Sequence, residues 1–433
     1  MVEETFKHSL WSAITPSGPD LPRLEGEITV DFALVGAGYL GLNTALTLAA
    51  EGHSVALIEA SEPGFGASGR NTGFVVPTLK KALSPKNAMA TFGKPRGEAF
   101  SRMIGGSGTR LFDLVREHGI DGAEQTGWLQ PAHSRAALAA NAAQVSEWRD
   151  LGFDVELLDA EATHAKTGMD GYHGAMHIPT GGQVNPLAYV RGLVRACLGA
   201  GVQILARSPV TGIERDGIGW AVRTASGRVR AGQVVLTSNA MVGPLCAAVD
   251  RSIIPTRSFQ IATQRFDAET QARILPARAP VADTRRHLFA ARWSPDGRIV
   301  GGGLVYPGPG RMARTRRRFE KRFERFLPGL GKVRAEYAWT GTVAITLDSL
   351  PRLYRLNDGL WAPIACNGRG VALTTAFGYE LGRFLAGRTT EAEFVVPVTQ
   401  PDPVPMRAFA PIGPYMWLPW SEFRDRLETE APS

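Results

Sequence analysis

Three glycines, Gly36, Gly38 and Gly41, and one acid, Glu59, are the residues whose spacing most directly implies chemistry. They lie in the stretch DFALVGAGYLGLNTALTLAAEGHSVALIEA, residues 31–60. In G-x-G-x-x-G spacing the first glycine permits a tight turn, the second lets backbone approach a pyrophosphate, and the third lets a helix pack on a strand. Phosphates then sit at the positive end of the helix dipole. Glu59 is placed to accept hydrogen bonds from a ribose. A bare glycine triplet says little, but here each positioning element is present. Phe32–Val35 is an apolar run suited to a buried strand. An apolar helical face follows from Leu40 to Ala49, Gly52 ends it, and Val55–Ile58 forms a second buried strand. The stretch therefore predicts a dinucleotide-binding β-α-β unit. Tyr39 and Leu40 open its helix, and Ala60 follows its acid.

Two further glycine-rich stretches add to it. Residues 61–77 read SEPGFGASGRNTGFVVP. Glycines 64, 66, 69 and 73 would let backbone lie against a flat ligand, and Ser68, Arg70, Asn71 and Thr72 supply donors. Far along the chain, Cys366-Asn367-Gly368-Arg369-Gly370-Val371-Ala372 opens a helix running to about Leu385. Backbone N–H groups at such a start, with Arg369 beside them, suit a ligand atom on which negative charge develops.

Gly36, Gly38, Gly41, Glu59 and the run Gly66-Ala67-Ser68-Gly69-Arg70-Asn71 resemble the FAD-dependent D-amino acid oxidase and glycine oxidase superfamily. That run, and the opening Ser9-Leu10-Trp11, are most similar to its gamma-glutamylputrescine oxidase branch. The resemblance covers most of the chain. It implies an α/β (α+β two-domain) protein, with a Rossmann-like FAD-binding domain and a β-sheet-based substrate domain. The first would be discontinuous, over residues 1–90, 150–245 and 345–395; the second would take 91–149 and 246–344, leaving 396–433 as a tail.

It also implies non-covalent FAD. The implied contacts are Gly36, Gly38, Tyr39, Leu40, Glu59 and Ala60; the loop residues Gly66, Ala67, Ser68, Gly69, Arg70, Asn71, Thr72 and Gly73; then Val210, Ser238, Asn239 and Gly341; and last Gly368, Arg369, Gly370, Val371 and Ala372. The implied reaction is hydride removal from a C–H bond beside an amine nitrogen of a small amine or amino acid, with oxygen as acceptor. Arg292 stands where the family often has an arginine in a Tyr-x-Arg-like strand, although Ala290 replaces the aromatic. Arg257, Gln260, His287, Tyr306 and Trp339 are further substrate-facing candidates. Two departures bear on the substrate. Sarcosine-type members carry lysine where this chain has Ala372, and many relatives carry histidine where it has Arg369. The first argues against their mode of carboxylate binding, and both leave the substrate open.

Composition bounds the rest. At 433 residues the chain is long enough for two domains, and 49 glycines and 29 prolines point to many turns. The net charge of +7 is diluted over this length. Cys197, Cys246 and Cys366 have neither metal-ligand spacing nor the look of a disulfide framework, which fits a reducing cytoplasm and no bound metal. Glu3, Glu4, Pro16 and Pro19 interrupt any signal-peptide block, and no run is long enough to span a membrane. Residues 311–327, RMARTRRRFEKRFERFL, set Phe319, Phe323 and Phe326 on one helical face and arginines on the rest. A solvated helix with an aromatic core stripe is the expectation, so no nucleic-acid partner is predicted. The competing readings are an RNA-acting flavoprotein and an amine dehydrogenase using a quinone or other carrier. The tail, with Tyr415, Trp417 and Trp420, is expected to pack against the body. Oligomeric state is not set by these features.

Overall fold

The computed structural model describes residues 8–79 and 83–430. Glu3 and Glu4 of the N-terminal arm lie outside the described residues. Two large sheets organise the chain. The first contains five parallel strands in the spatial order Gln203–Leu205, Val55–Ile58, Gly26–Val35, Gly227–Leu236 and Leu360–Ile364. Parallel strands covered on both faces read as continuous apolar runs, and Val55–Ile58 is buried throughout. Alternation sends Phe32, Leu34, Val55 and Leu57 to one core and Ala33, Val35, Ala56 and Ile58 to the other.

Helices Tyr39–Ala50, Pro186–Gly199 and Gly370–Leu385 contribute to the first core. The antiparallel strands Gly212–Asp216 and Gly219–Arg223 lead into Gly227–Leu236 and contribute Trp220 and Val222 to the second. Two glycines set how closely the first and last of these helices cross. A Cβ on Gly378 would lie 2.8 Å from Asn43 Cβ, and one on Gly382 would lie 2.6 Å from Thr47 Cβ. Without glycine there the late helix would be pushed off the nucleotide helix.

The second sheet has eight strands. Its order is Ala335–Ile345, Ile254–Arg265, Arg298–Leu304, Ala290–Trp293, Val281–Ala282, Trp128–Pro131, Ala175–Ile178 and Glu156–Leu158. The basic helix Arg311–Phe326 lies on it, and its buried Phe319 and Phe323 join Phe259, Ile261 and Trp293 in one core. The aromatic stripe is thus core, as its spacing predicts. A small sheet of Phe74–Val75, Gly182–Val184 and Ala123–Glu124 lies between the two large ones in sequence.

One feature differs from the sequence reading. Glu156–Leu158 and Ala175–Ile178 pair into the second sheet, whereas residues 150–245 were expected to belong wholly to the nucleotide domain. Pairing between strands distant in sequence leaves no local periodic signal. Residues 95–150 hold two long helices, Lys94–Glu117 and Arg135–Asp150, but also the strands Ala123–Glu124 and Trp128–Pro131. The proline-rich tail ends in a helix, Gly413–Glu430, that contains Pro419. No described helix is long and apolar enough to cross a membrane.

Candidate active site

The carboxyl ends of the parallel strands bring the glycine segments together. The order reverses beside Gly26–Val35, and the crevice outside such a switch point is where nucleotides bind in open α/β sheets. The glycine turn shows the three roles its spacing predicts. Gly36 holds φ at +115°, which favours glycine. A Cβ on Gly38 would meet Ser68 Oγ at 2.9 Å, and one on Gly41 would meet the Gly36 carbonyl oxygen at 2.2 Å. Thr237, outside the predicted set, fixes the turn by donating its hydroxyl to the Gly36 carbonyl at 2.8 Å. The one signal for it was a hydroxyl residue directly after a strand.

Glu59 accepts the Ala37 N–H and the Ser61 N–H, each at 2.9 Å. Burial pushes its pKa up, and these backbone donors oppose the shift. A carboxylate has about four lone-pair sites, so acceptor capacity remains for ribose hydroxyls. Exposed Ala60 follows, and Val210 packs at the margin of the second core. Tyr39 is used structurally: its N–H goes to Ser68 Oγ at 3.1 Å and its hydroxyl to the Pro186 carbonyl at 3.1 Å. Leu40 is buried beside it. The helix Tyr39–Ala50 starts at Gly38 with no side-chain cap, and Gly370–Leu385 starts at Arg369 with none. Uncapped starts leave N–H donors for a ligand.

The loop from Gly64 to Gly73 is held mainly by its own side chains. Asn71 Nδ2 donates to the Ala67 carbonyl at 3.1 Å and the Ser68 carbonyl at 2.8 Å, and Asn71 Oδ1 accepts the Gly73 N–H at 2.7 Å. Arg70 donates to the carbonyls of Gly66 and Thr340, at 3.1 and 3.4 Å, and burial lowers its pKa to about 10. Outside residues grip the remaining carbonyls. Trp11 Nε1 reaches Asn71 O and Trp339 Nε1 reaches Arg70 O, both at 2.8 Å. The two indoles meet edge-on with centroids 6.2 Å apart. Open space faces Gly66, whereas a Cβ on Gly69 would lie 2.5 Å from the Gly64 carbonyl oxygen.

Strand parity then sorts the substrate-facing candidates. In Ile254–Arg265, Phe259 and Ile261 enter the core shared with the basic helix, while Ala262 packs with Trp11, Leu187 and Trp339 toward the nucleotide domain. Gln260 shares the face of Ala262. Arg257 shares the opposite face and is exposed, so the structure places it away from the site. Trp339 stands opposite Gln260, and its indole N–H is spent on the cofactor loop.

Arg292 is 1% exposed. It donates Nη1 to the carbonyls of Thr72, Gly73 and Val184, at 3.1, 3.2 and 2.6 Å. Burial lowers its pKa to about 9. It braces the loop instead of meeting substrate. A Cβ on Gly73 would fall 2.4 Å from this Nη1. His287 and Tyr306 are also redirected. The Tyr306 hydroxyl donates to Glu422 at 2.8 Å and lies 3.2 Å from His287 Nε2, under the C-terminal helix. Sequence parity could have excluded Arg257, but tail docking carries no local signal. Gln260 alone of the six stays poised: it is buried and its Oε1 has no hydrogen-bond partner.

The late segment closes the crevice. Asn367 has φ +43°, accepts the Thr346 N–H at 2.8 Å, and leaves a buried Nδ2 without a partner. Asn239 accepts the Ala344 N–H at 3.3 Å, and neighbouring Ser238 has a buried, unpartnered Oγ. Gly368 is exposed, Gly370 half-buried, and Val371 and Ala372 buried. Arg369 turns toward the preceding loop, donating to the Thr78 and Leu79 carbonyls at 3.3 and 2.6 Å, and burial lowers its pKa to about 10. Gly341 meets the loop at Arg70 Cβ, 3.8 Å from its own Cβ position. Buried polar groups are normally paired, so the orphans at Ser238 and Asn367, at the ends of neighbouring parallel strands, fit a polar ligand lying across them. With the glycine turn, the free acceptor capacity of Glu59 and two uncapped helix starts, the residues fit FAD. His133, Asp425 and Glu428 offer ligand atoms within 4.8 Å of one another, but the Arg286 guanidinium already stands 2.6 Å from Glu428 and supplies the positive charge there.

Comparison with known proteins agrees with this geometry. The DAO family profile, described as FAD dependent oxidoreductase, matches residues 31–383. The gamma-glutamylputrescine oxidoreductase of Escherichia coli (strain K12) is 31% identical over 371 residues, covering 84% of this chain and 85% of the relative. A probable oxidoreductase OrdL of Rhizobium meliloti is 26% identical over 423 residues, covering 97% and 98%. Among solved structures, glycine oxidase from Geobacillus kaustophilus shares the fold with a TM-score of 0.67 at 21% identity, covering 84% of this chain and 96% of its own. The chain belongs to the DAO family of FAD-dependent oxidoreductases.

Proposed function

We propose that this DAO-family enzyme oxidises the C–N bond of a small amine or amino acid to an imine, which water hydrolyses to a carbonyl compound and an amine or ammonia. The observation that carries the reading is the buried, unpartnered Gln260 Oε1, on the sheet face turned toward a crevice served by two uncapped helix starts. FAD supplies, when bound non-covalently, the acceptor for a hydride from the carbon beside nitrogen and a route for the electron pair to oxygen as hydrogen peroxide. Glu59 would accept hydrogen bonds from the ribose hydroxyls, and the start of Tyr39–Ala50 would hold the pyrophosphate. The N–H groups at the start of Gly370–Leu385 would offer hydrogen-bond donors to negative charge on the bound cofactor.

Gln260 accepts an N–H of the neutral amine and holds it in one orientation, so positioning and exclusion of water do the work an acid–base pair does elsewhere. The two arginines that could clamp a substrate carboxylate, Arg292 and Arg369, are committed to backbone carbonyls. This favours a substrate recognised through its amine, and the gamma-glutamylputrescine oxidoreductase relative supports the same class. The free thiols of Cys197 and Cys246 suit a reducing cytoplasm. A peroxide-coupled screen of amines, gamma-glutamylated polyamines and amino acids tests the reading. Peroxide from an amine is expected. Anaerobic bleaching by an amine without peroxide in air would replace oxygen with another acceptor, and no bleaching across the panel would sink the proposal.

A further inference from the structure

The helix Gly413–Glu430 is docked inside out. Its buried side is polar: Ser421 and Asp425 are buried with Leu418, and Glu422 and Glu428 are half-buried beside them. Glu422 accepts from the Tyr306 hydroxyl at 2.8 Å and pairs with Arg318 at 3.2 Å. Asp425 accepts the N–H groups of Arg286 and His287, both at 2.9 Å, and Glu428 pairs with Arg286 at 2.6 Å. The opposite side is apolar. Met416, Trp420, Phe423 and Leu427 follow one another at spacings of four, three and four, with Trp417 beside them. Their exposure runs from 45% at Trp417 to 73% at Met416. Met406 and Phe409, just before the helix, are exposed as well. A surface helix normally turns such a stripe to the core. Here carboxylates hold the helix to the body and the stripe faces out, and a contiguous exposed apolar patch marks an interaction surface.

Charge selects the occupant. The helix Arg311–Phe326 carries eight cationic and two acidic side chains and is joined to the tail by the Arg318–Glu422 pair. Arg311, Arg317, Lys321 and Arg325 are exposed on it. Pairing two copies through the stripe would bring two such helices, on chains of net charge +7, toward each other. An anionic lipid surface satisfies both features. Tryptophan and phenylalanine enter the headgroup boundary, and arginine and lysine meet lipid phosphates. We propose that the C-terminal helix docks the enzyme on an anionic bilayer surface without crossing it.

Flotation of the full-length holoenzyme with vesicles tests this, using phosphatidylcholine alone and phosphatidylcholine mixed with phosphatidylglycerol. Binding to the mixed vesicles should exceed binding to neutral ones by roughly tenfold or more, since each basic residue near the surface contributes about 1 kcal/mol. The variant Trp417→Ser/Trp420→Ser/Phe423→Ser should lose vesicle binding while keeping its bound flavin. The variant Arg317→Glu/Lys321→Glu, with the stripe intact, should lose the preference for anionic lipid. Failure to float with either vesicle, equal binding to both, or wild-type binding by the triple variant would overturn the proposal. So would sedimentation showing a dimer that the triple variant splits into monomers, which would assign the stripe to a second copy of the chain.

Discussion

Trp339, on the edge strand Ala335–Ile345 of the second sheet, donates its indole N–H to the carbonyl of Arg70 in the glycine-rich loop across 2.8 Å. The bond is fully buried, so the second sheet directly sets the position of the loop Gly64–Gly73, which is proposed to lie against the cofactor. Trp339→Phe keeps most of the ring but leaves that carbonyl without its donor, at a cost of about 1–3 kcal/mol. If the cost falls on the loop, the FAD dissociation constant rises roughly 5- to 100-fold. Titration of apoenzyme with FAD measures it, and unchanged affinity would show that the bond serves stability alone.

The glycines separate just as cleanly. Gly41→Ala sets a Cβ 2.2 Å from the Gly36 carbonyl oxygen, whereas the Cβ of Gly66→Ala enters open space. The first variant should purify with little or no flavin and the second with a wild-type ratio of flavin to protein absorbance. Equal flavin content in both would refute the packing role given to the third glycine.

Gln260→Leu removes the buried, unpartnered acceptor that faces the crevice. Loss of one hydrogen bond to substrate should lower kcat/KM for the best amine about tenfold. Tm should hold or rise, because a buried polar atom without a partner costs stability. An unchanged kcat/KM would remove Gln260 from the site.

Acid should release the tail helix at a definite point. The hydrogen bond from His287, then those from Tyr306 and the charge of Arg318, hold Glu422 at about 2 against the opposing effect of burial. That value lies below the ordinary glutamate value of about 4.3. The ionised carboxylate therefore favours the docked helix above the unfolded value, and this contribution is lost as pH falls from about 4 toward about 2. Near-UV circular dichroism of the tail tryptophans should follow that loss in the wild type. Glu422→Gln should abolish this pH-dependent step; its persistence would assign the step to another carboxylate.

Cys366 Sγ packs 2.9 Å from the Cβ position of Gly370, against the start of the late helix. We expect it to pack there without bonding to flavin. Trichloroacetic acid precipitation should leave a colourless pellet and a yellow supernatant, and a yellow pellet would establish a covalent link.

What the sequence revealed follows from the range of each interaction. The glycine turn, Glu59 and the helix after Gly368 were legible because a tight turn, an anion site and a helix start are encoded within a few residues. The buried strands Phe32–Val35 and Val55–Ile58 were legible as apolar runs. The roles of Arg292, His287, Tyr306 and Trp339 were not, because each depends on a partner far away in sequence: Val184, Glu422 or Arg70. Residue type identified them as polar and buried but could not say whether backbone or ligand satisfied them. Arg257 is a different case. Its parity with Phe259 and Ile261 was readable along the strand and set it on the face opposite Gln260.

The order of the parallel sheet also sets when the cofactor can be taken up during synthesis. The glycine turn leaves the ribosome early, but its sheet waits for Gly227–Leu236 and then for Leu360–Ile364. The loop Gly64–Gly73 depends on Trp339, and the second uncapped helix begins only at Gly370. A nascent chain that ends at residue 300 thus carries the glycine turn and Glu59 but lacks Trp339, Asn367 and the late helix start. Until the last third of the chain is made, the early β-α-β unit has to keep its apolar faces out of aggregation with no cofactor to stabilise it.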